Sequence, residues 1–176
     1  EYEMALKPNE LNQLNVVSFQ TNFTRLPNVN FFCQRVNIPA INLGIALQNT
    51  PFSDMNYEGD KLTFEQMTMN FYVNEDLSNY LEVYNWLISL GFPDNYKQFN
   101  LKESSLNFAA NESRTSDMNL ILETNKSNPN FSVVFKNAFP VSMGSIELDT
   151  AATSLEPIVV DATFAYSGSF AIEKIT

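Results

Sequence analysis

Residues 31–64 read FFCQRVNIPAINLGIALQNTPFSDMNYEGDKLTF, and the way this stretch divides decides the architecture. Its two ends are aromatic and β-branched like strands, whereas the middle, from Asn37 to Asp60, is apolar without a clear period. The middle therefore reads as a long connection, about residues 38–60, carrying Ile38, Ile41, Leu43, Ile45, Ala46, Leu47, Phe52, Met55 and Tyr57. Left in water, so many apolar groups would be an aggregation hazard. Either they pack back on their own domain or they meet a partner.

Working outward, residues 16–23 (VVSFQTNF) put Val17, Phe19, Thr21 and Phe23 on one face at period two, the mark of a half-buried strand. Leu26-Pro27-Asn28 supplies a turn, after which VNFFCQRVNI continues extended up to Pro39. Beyond the connection, KLTFEQMTMNFYV sets Leu62 and Phe64 on one register and Met67, Met69, Phe71 and Val73 on the other, as a β-bulge at Glu65 and Gln66 would do. A helix is expected over about 75–90, with Leu77, Tyr80, Leu81, Tyr84 and Ile88 at helical spacing, Asn74 as its cap, and Gly91 and Pro93 as its stop.

Residues 94–116 are polar and weakly patterned and read as a surface excursion with a short extended piece around Leu106 and Phe108. Strands then return. MNLILE aligns Met118, Leu120 and Leu122, and SNPN at 127–130 makes a hairpin turn. FSVVFKN aligns Phe131, Val133 and Phe135; SIELD at 145–149 follows; and the last strand aligns Val160, Ala162, Phe164 and Tyr166. Seven or so antiparallel strands and one helix make a mainly β fold, a sandwich or barrel with a single flanking helix, in one domain spanning 1–176.

Composition narrows the function. The chain has fifteen Phe, seven Tyr, one Trp and no histidine, so Ser-His and Cys-His nucleophile pairs are excluded and the commonest general base is missing. The carboxylate pairs Glu58/Asp60, Glu75/Asp76 and Glu147/Asp149 read as a turn, a helix start and a strand face. Asp54, Asn56, Glu58 and Asp60 alternate oxygen ligands but miss the twelve-residue calcium loop and its closing Glu. The five Gly residues form no phosphate cradle, and the lone Cys33 reads as a buried thiol. No enzyme, metal or cofactor is expected. Twenty acidic against ten basic residues give a net charge of -10, which repels phosphates, and no apolar run reaches membrane length. The opening EYEMALKPNE lacks the layout of a signal peptide, so a soluble, non-secreted protein is expected.

Three blocks, FFCQRVNIPAI at 31–41, GDKLTFEQMTMNFYVNEDLSNYLEVYNWL at 59–87 and NAFPVSMGSIELDTAATSLEPIVVDATFAYS at 137–167, together resemble the tail tube proteins of contractile-tailed, T4-like bacteriophages. The resemblance implies two packed sheets and a helix, six copies closing a ring whose inner strands join into one β-barrel, and rings stacking into a hollow conduit for DNA ejection. It implies that the long loop reaches the neighbouring ring through Ile41, Leu43, Ile45, Leu47, Phe52, Met55 and Tyr57. It also implies sheath, baseplate and tape-measure proteins as partners, DNA that passes without specific binding, no membrane, and a place in the virion tail after assembly in the host cytoplasm. With strand parity added, Glu65, Glu147 and Asp149 become candidate acids of the lumen. Two other readings stand beside it: a tube-like baseplate protein that initiates the tube, and a monomeric β-barrel module with a gated ligand cavity.

Overall fold

Strand β1 (Phe19–Phe23) turns Phe19, Thr21 and Phe23 inward, as its alternation requires. The computed structural model describes residues 13–14, 17–91, 93, 114–151 and 156–175. After β1 the chain does not stay extended. Pro27 opens a five-residue helix, α1 (Pro27–Phe31), where its fixed φ suits the first turn and its missing N–H costs nothing. Only then does β2 (Cys33–Val36) begin, so the expected continuous strand from Val29 is a helix followed by a short strand.

The long connection is not a loop. It is a β-hairpin made of β3 (Ile41–Asn49) and β4 (Asp54–Phe64), which among the described residues pair only with each other. The register change expected at Glu65 and Gln66 is real, but it is a break between sheets rather than a bulge: β4 ends at Phe64, and β5 (Met67–Tyr72) joins a different sheet with Met67, Met69 and Phe71 buried.

Helix α2 (Ser78–Gly91) starts about three residues later than its composition suggests. Asn74 is not its cap; its side-chain amide donates to Ser78 Oγ, and Leu77, at φ +56°, turns the chain into the helix. The buried face is also a different one. Asn79, Val83, Trp86 and Ser89 face the core, while Leu77, Leu81 and Tyr84 of the regular apolar stripe are exposed.

Strands β6 (Ser116–Glu123), β7 (Pro129–Met143), β8 (Val159–Ala165) and β9 (Ala171–Lys174) complete the body. The expected partners agree in register: Met118, Leu120 and Leu122 stand opposite Phe135, Val133 and Phe131. The last extended stretch is two strands, because a turn containing Gly168 at φ +74° separates β8 from β9. Residues 145–149 are not a strand; Leu148 is exposed and Asp149 Oδ1 accepts from Ala151 N at 2.8 Å, as in a turn. The excursion expected over 94–116, with its piece around Leu106 and Phe108, lies outside the described residues as far as 113.

All pairings are antiparallel, in the order β1-β6-β7-β8-β5-β2, with β9 on the free side of the first half of β7. Strand β7 serves two sheets. Its first half pairs with β6 and its second half with β8, and Asn137 at φ +53° marks the corner. Asn tolerates that left-handed conformation better than most residues. Here Asp117 Oδ1 accepts from Asn137 N at 2.8 Å and Thr115 Oγ1 donates to Asn137 Oδ1 at 3.2 Å, which pins the bend.

Between the sheets, Phe23, Phe164 and Trp86 form a mutual aromatic contact, with Phe23 5.6 Å from Trp86 at 90° and 5.1 Å from Phe164. One ring comes from each sheet and one from α2, so this triad fastens the three layers together. Arg25 stacks 4.7 Å over the Trp86 ring, and the indole N–H donates to Arg114 O at 3.1 Å. On α2, burial pushes the Glu82 carboxyl above its ordinary value, against the opposing pull of Asn28, whose amide donates to Glu82 Oε1 at 2.6 Å.

Asn79 is fully buried and replaces missing backbone partners. Its Oδ1 accepts from Asn74 N at 3.1 Å and Tyr80 N at 2.9 Å, and its Nδ2 donates to Tyr72 O. Because buried groups stripped of a partner cost about 1–3 kcal/mol each, Asn79→Ala should lower stability by about 2–4 kcal/mol in chemical denaturation. A loss below about 0.5 kcal/mol would show that water replaces this network freely.

Candidate assembly surface

Two features of the body and the hairpin leave their chemistry unfinished. The first is the β3–β4 arm. Nine residues of β3 at about 3.3 Å each extend it by about 30 Å. Along it, Ile41, Leu43, Ile45, Leu47, Met55 and Tyr57 keep 50–67% of their surface in solvent, and Phe52 at the tip keeps 99%. These are the contact residues expected from the sequence, brought together on one element.

Register explains why no period was visible. Residues opposite one another in an antiparallel ladder share a face. At the base, Ile41 and Leu43 stand opposite Phe64 and Leu62; further out, Ile45 and Leu47 stand opposite Glu58 and Asn56, while Ala46 and Gln48 stand opposite Tyr57 and Met55. Both faces of the outer arm are therefore apolar.

A bulge separates base from tip. From Leu43 to Ile45 the chain takes two steps, against four from Leu62 to Glu58. There the backbones of Gly44 and Gly59 nearly touch: a Cβ on Gly59 would sit 2.2 Å from Gly44 O. Glycine at 59 is what permits that approach.

The second feature is a cleft of about 1310 Å³ between β1 and β2, the terminal strands of the seven-stranded sheet. Leu120 and Leu122 line it from below, and Phe31, 82% exposed, and Ile38 stand at its margin. Ile38 ties the two features together, since it lies three residues before the arm begins.

Backbone groups of both cleft walls face the gap. Asn30 imitates a strand against the end of β1, accepting from Phe23 N at 3.0 Å and donating to Phe23 O at 2.8 Å. The backbone groups of alternate residues point the same way, so those of Thr21 and Phe19 point toward the cleft as well. Asn37 N donates to Thr68 O at 3.2 Å, which by the same alternation turns Val36 away from β5. Burial raises the pKa of the half-buried Cys33 thiol, and the neighbouring Thr21 hydroxyl pulls it back. Yet Thr21 Oγ1 has no hydrogen bond of ordinary geometry among the described residues, although it is buried.

The candidate acids lie on separate segments. Glu65 sits at the base of the arm, where Asn42 Nδ2 donates to its Oε1 at 3.3 Å and Tyr166 Oη donates to its backbone carbonyl at 2.9 Å. Glu147 and Asp149 are exposed in the irregular segment after β7, so strand parity does not orient them. No group of His, Cys, Asp and Glu suited to a metal occurs among the described residues, and no described helix is long and apolar enough to cross a membrane.

Comparison with known families assigns the chain as a whole. A family model described as phage tail tube protein matches residues 1–170. This chain belongs to the phage tail tube protein family. Three solved structures share this fold at low sequence identity. A chain of the anti-feeding prophage baseplate is 12% identical with TM-score 0.58, covering 88% of this chain and 90% of that one. A chain of the anti-feeding prophage cap is 14% identical with TM-score 0.55, covering 98% and 96%. A chain of an extracellular contractile injection system, from a sheath-tube complex in the extended state, is 15% identical with TM-score 0.51, covering 93% of each. No curated protein sequence matches.

Proposed function

We propose that this protein is the structural subunit of a contractile phage tail tube, stacking as hexameric rings into a hollow conduit for DNA. One observation carries the reading: an arm about 30 Å long with apolar side chains exposed on both faces. No described residue of the same chain buries it, and a patch on one copy that fits a different patch on the next produces an open, growing assembly. Family membership supports this reading, as does a fold shared with a chain of a sheath-tube complex. Sheath, baseplate and tape-measure proteins are the partners that such a tube requires. The work is assembly and passage rather than catalysis.

The fold shared with a baseplate chain favours one second reading, a ring that initiates the tube instead of filling it. An initiator would add one ring and stop, whereas a tube subunit adds rings without limit.

The net charge of -10 suits a channel for DNA, because an acidic wall repels phosphates and lets the duplex slide. Glu65, Glu147 and Asp149 are the residues we place at that wall. Changing Glu147 and Asp149 to Lys should leave tubes assembled and slow DNA ejection from a particle carrying the variant; unchanged ejection kinetics would remove these two from the lumen.

The arm supplies the main test. Burying a half-exposed Leu or Ile contributes about 1–2 kcal/mol, so Leu43→Ser, Ile45→Ser and Leu47→Ser together should raise the concentration needed for assembly about 100- to 10,000-fold. The melting of the monomer should not change. Sedimentation and thermal melting read the two effects separately, and a collapse of the monomer fold would place the arm in the core instead.

A further inference from the structure

We infer that the turn between β8 and β9 is the seat that aims the β3–β4 arm, with the Tyr166 hydroxyl as its positioning group. This rests on the assembly role proposed above and adds what sets the arm's direction in the free subunit.

The arm joins the body through two short stretches of chain, residues 37–40 ahead of β3 and Glu65-Gln66 after β4. Glu65 is where the second stretch is held. Its N–H donates to Ala40 O at 3.1 Å and its Oε1 accepts from Asn42 Nδ2 at 3.3 Å, and both of those partners belong to the arm's own entry. The bond that Tyr166 Oη donates to the Glu65 carbonyl, at 2.9 Å, comes instead from the body, 101 residues further along the chain.

The turn that carries Tyr166 is itself fixed. Ser167 N donates to Lys136 O at 3.0 Å, which ties the turn to β7. The Tyr166 ring lies 5.1 Å from Phe135 and 6.3 Å from Phe170, and Phe170 also meets Phe64, the last residue of β4, at 5.6 Å. Phe64 and Glu65 are thus gripped by one turn, the first through its ring and the second through its carbonyl. For packing alone, a further phenylalanine beside Phe64, Phe135 and Phe170 would serve; the hydroxyl adds a hydrogen bond with a preferred direction. Burial pushes the Tyr166 phenol above its ordinary value, so it stays a donor at neutral pH.

The arm's length makes this one bond matter. On a lever of about 30 Å, a swing of about 10° at the root carries the tip about 5 Å, beyond the roughly 4–4.5 Å over which apolar side chains touch. An arm free to swing has to be ordered when it is buried, and that ordering weakens binding. A hydroxyl that already holds the arm in one direction strengthens assembly without touching the partner.

The test compares the full protein with its Tyr166→Phe variant, which keeps the ring and removes only the hydroxyl. For one measurement each carries Cys33→Ser and a fluorophore on Phe52→Cys at the tip, and time-resolved anisotropy at nanomolar concentration reads the swing of the arm in the monomer. Sedimentation of the unlabelled proteins reads assembly. Loss of the hydroxyl is expected to add a fast decay of anisotropy at the tip and to raise the assembly concentration about 2- to 10-fold, the worth of one hydrogen bond, in a protein that remains folded. Identical decays in the two proteins, whatever the change in melting, would make the hydroxyl merely structural and overturn the inference. A faster decay with no change in assembly would overturn it as well. Failure to assemble with either residue at position 166 contradicts the tube reading, whereas the anisotropy of the monomer still decides whether Tyr166 aims the arm.

Discussion

The structure depends on one constraint, a hairpin that is apolar on both faces and whose outer part no described residue of its own subunit covers. A half-buried hairpin normally turns one face to a core and the other to water, and its sequence alternates accordingly. Here Ile45 and Leu47 lie on one face with Met55 and Tyr57 on the other, so turning the arm either way exposes apolar surface. The body can tolerate this because its core takes only Phe64 from the arm among the described residues, and the Phe23, Phe164 and Trp86 triad joins both sheets to α2. On the proposed reading, folding and assembly draw on largely separate sets of apolar residues.

Rigidity at the arm's root matters to such a device, because a loosely hinged arm would lose conformational freedom on docking and bind more weakly. Glu65 N donates to Ala40 O at 3.1 Å, Tyr166 Oη holds the Glu65 carbonyl, and Phe64 meets Phe170 with ring centres 5.6 Å apart. Beyond this root the Gly44–Gly59 contact sets the bulge at which the pairing of the arm changes register. The arm is therefore carried by the body in a defined direction, and its tip is presented already formed.

The sequence was legible wherever one face meets the core and the other meets water. The inward residues of β5, β6, β7 and β8 follow from period two, and the existence of α2 follows from its spacing. Three readings failed for physical reasons. In the arm, apolar residues alternate within each strand, at Ile41, Leu43, Ile45 and Leu47 and again at Met55 and Tyr57, but the two strands turn them to opposite faces, so the stretch read as one apolar excess. On α2 the most regular apolar stripe, with Leu77, Leu81 and Tyr84, faces out, while polar Asn79 is buried because its amide satisfies three backbone groups. Residues 145–149 alternate as a strand would, yet Leu148 is exposed and no strand pairs there. The exposed apolar residues of the arm were recognisable as an apolar excess without a home; the cleft was not, because it is built from strand edges that come together only in the fold.

The central claim is that this subunit completes itself only by adding to copies of itself. Electron microscopy of the purified protein over a range of concentrations, with mass measurement of the soluble fraction, tests it most directly. Sixfold rings and hollow tubes that lengthen with concentration are the predicted result. A protein that stays a soluble monomer at every concentration, its arm exposed and unoccupied, would contradict it.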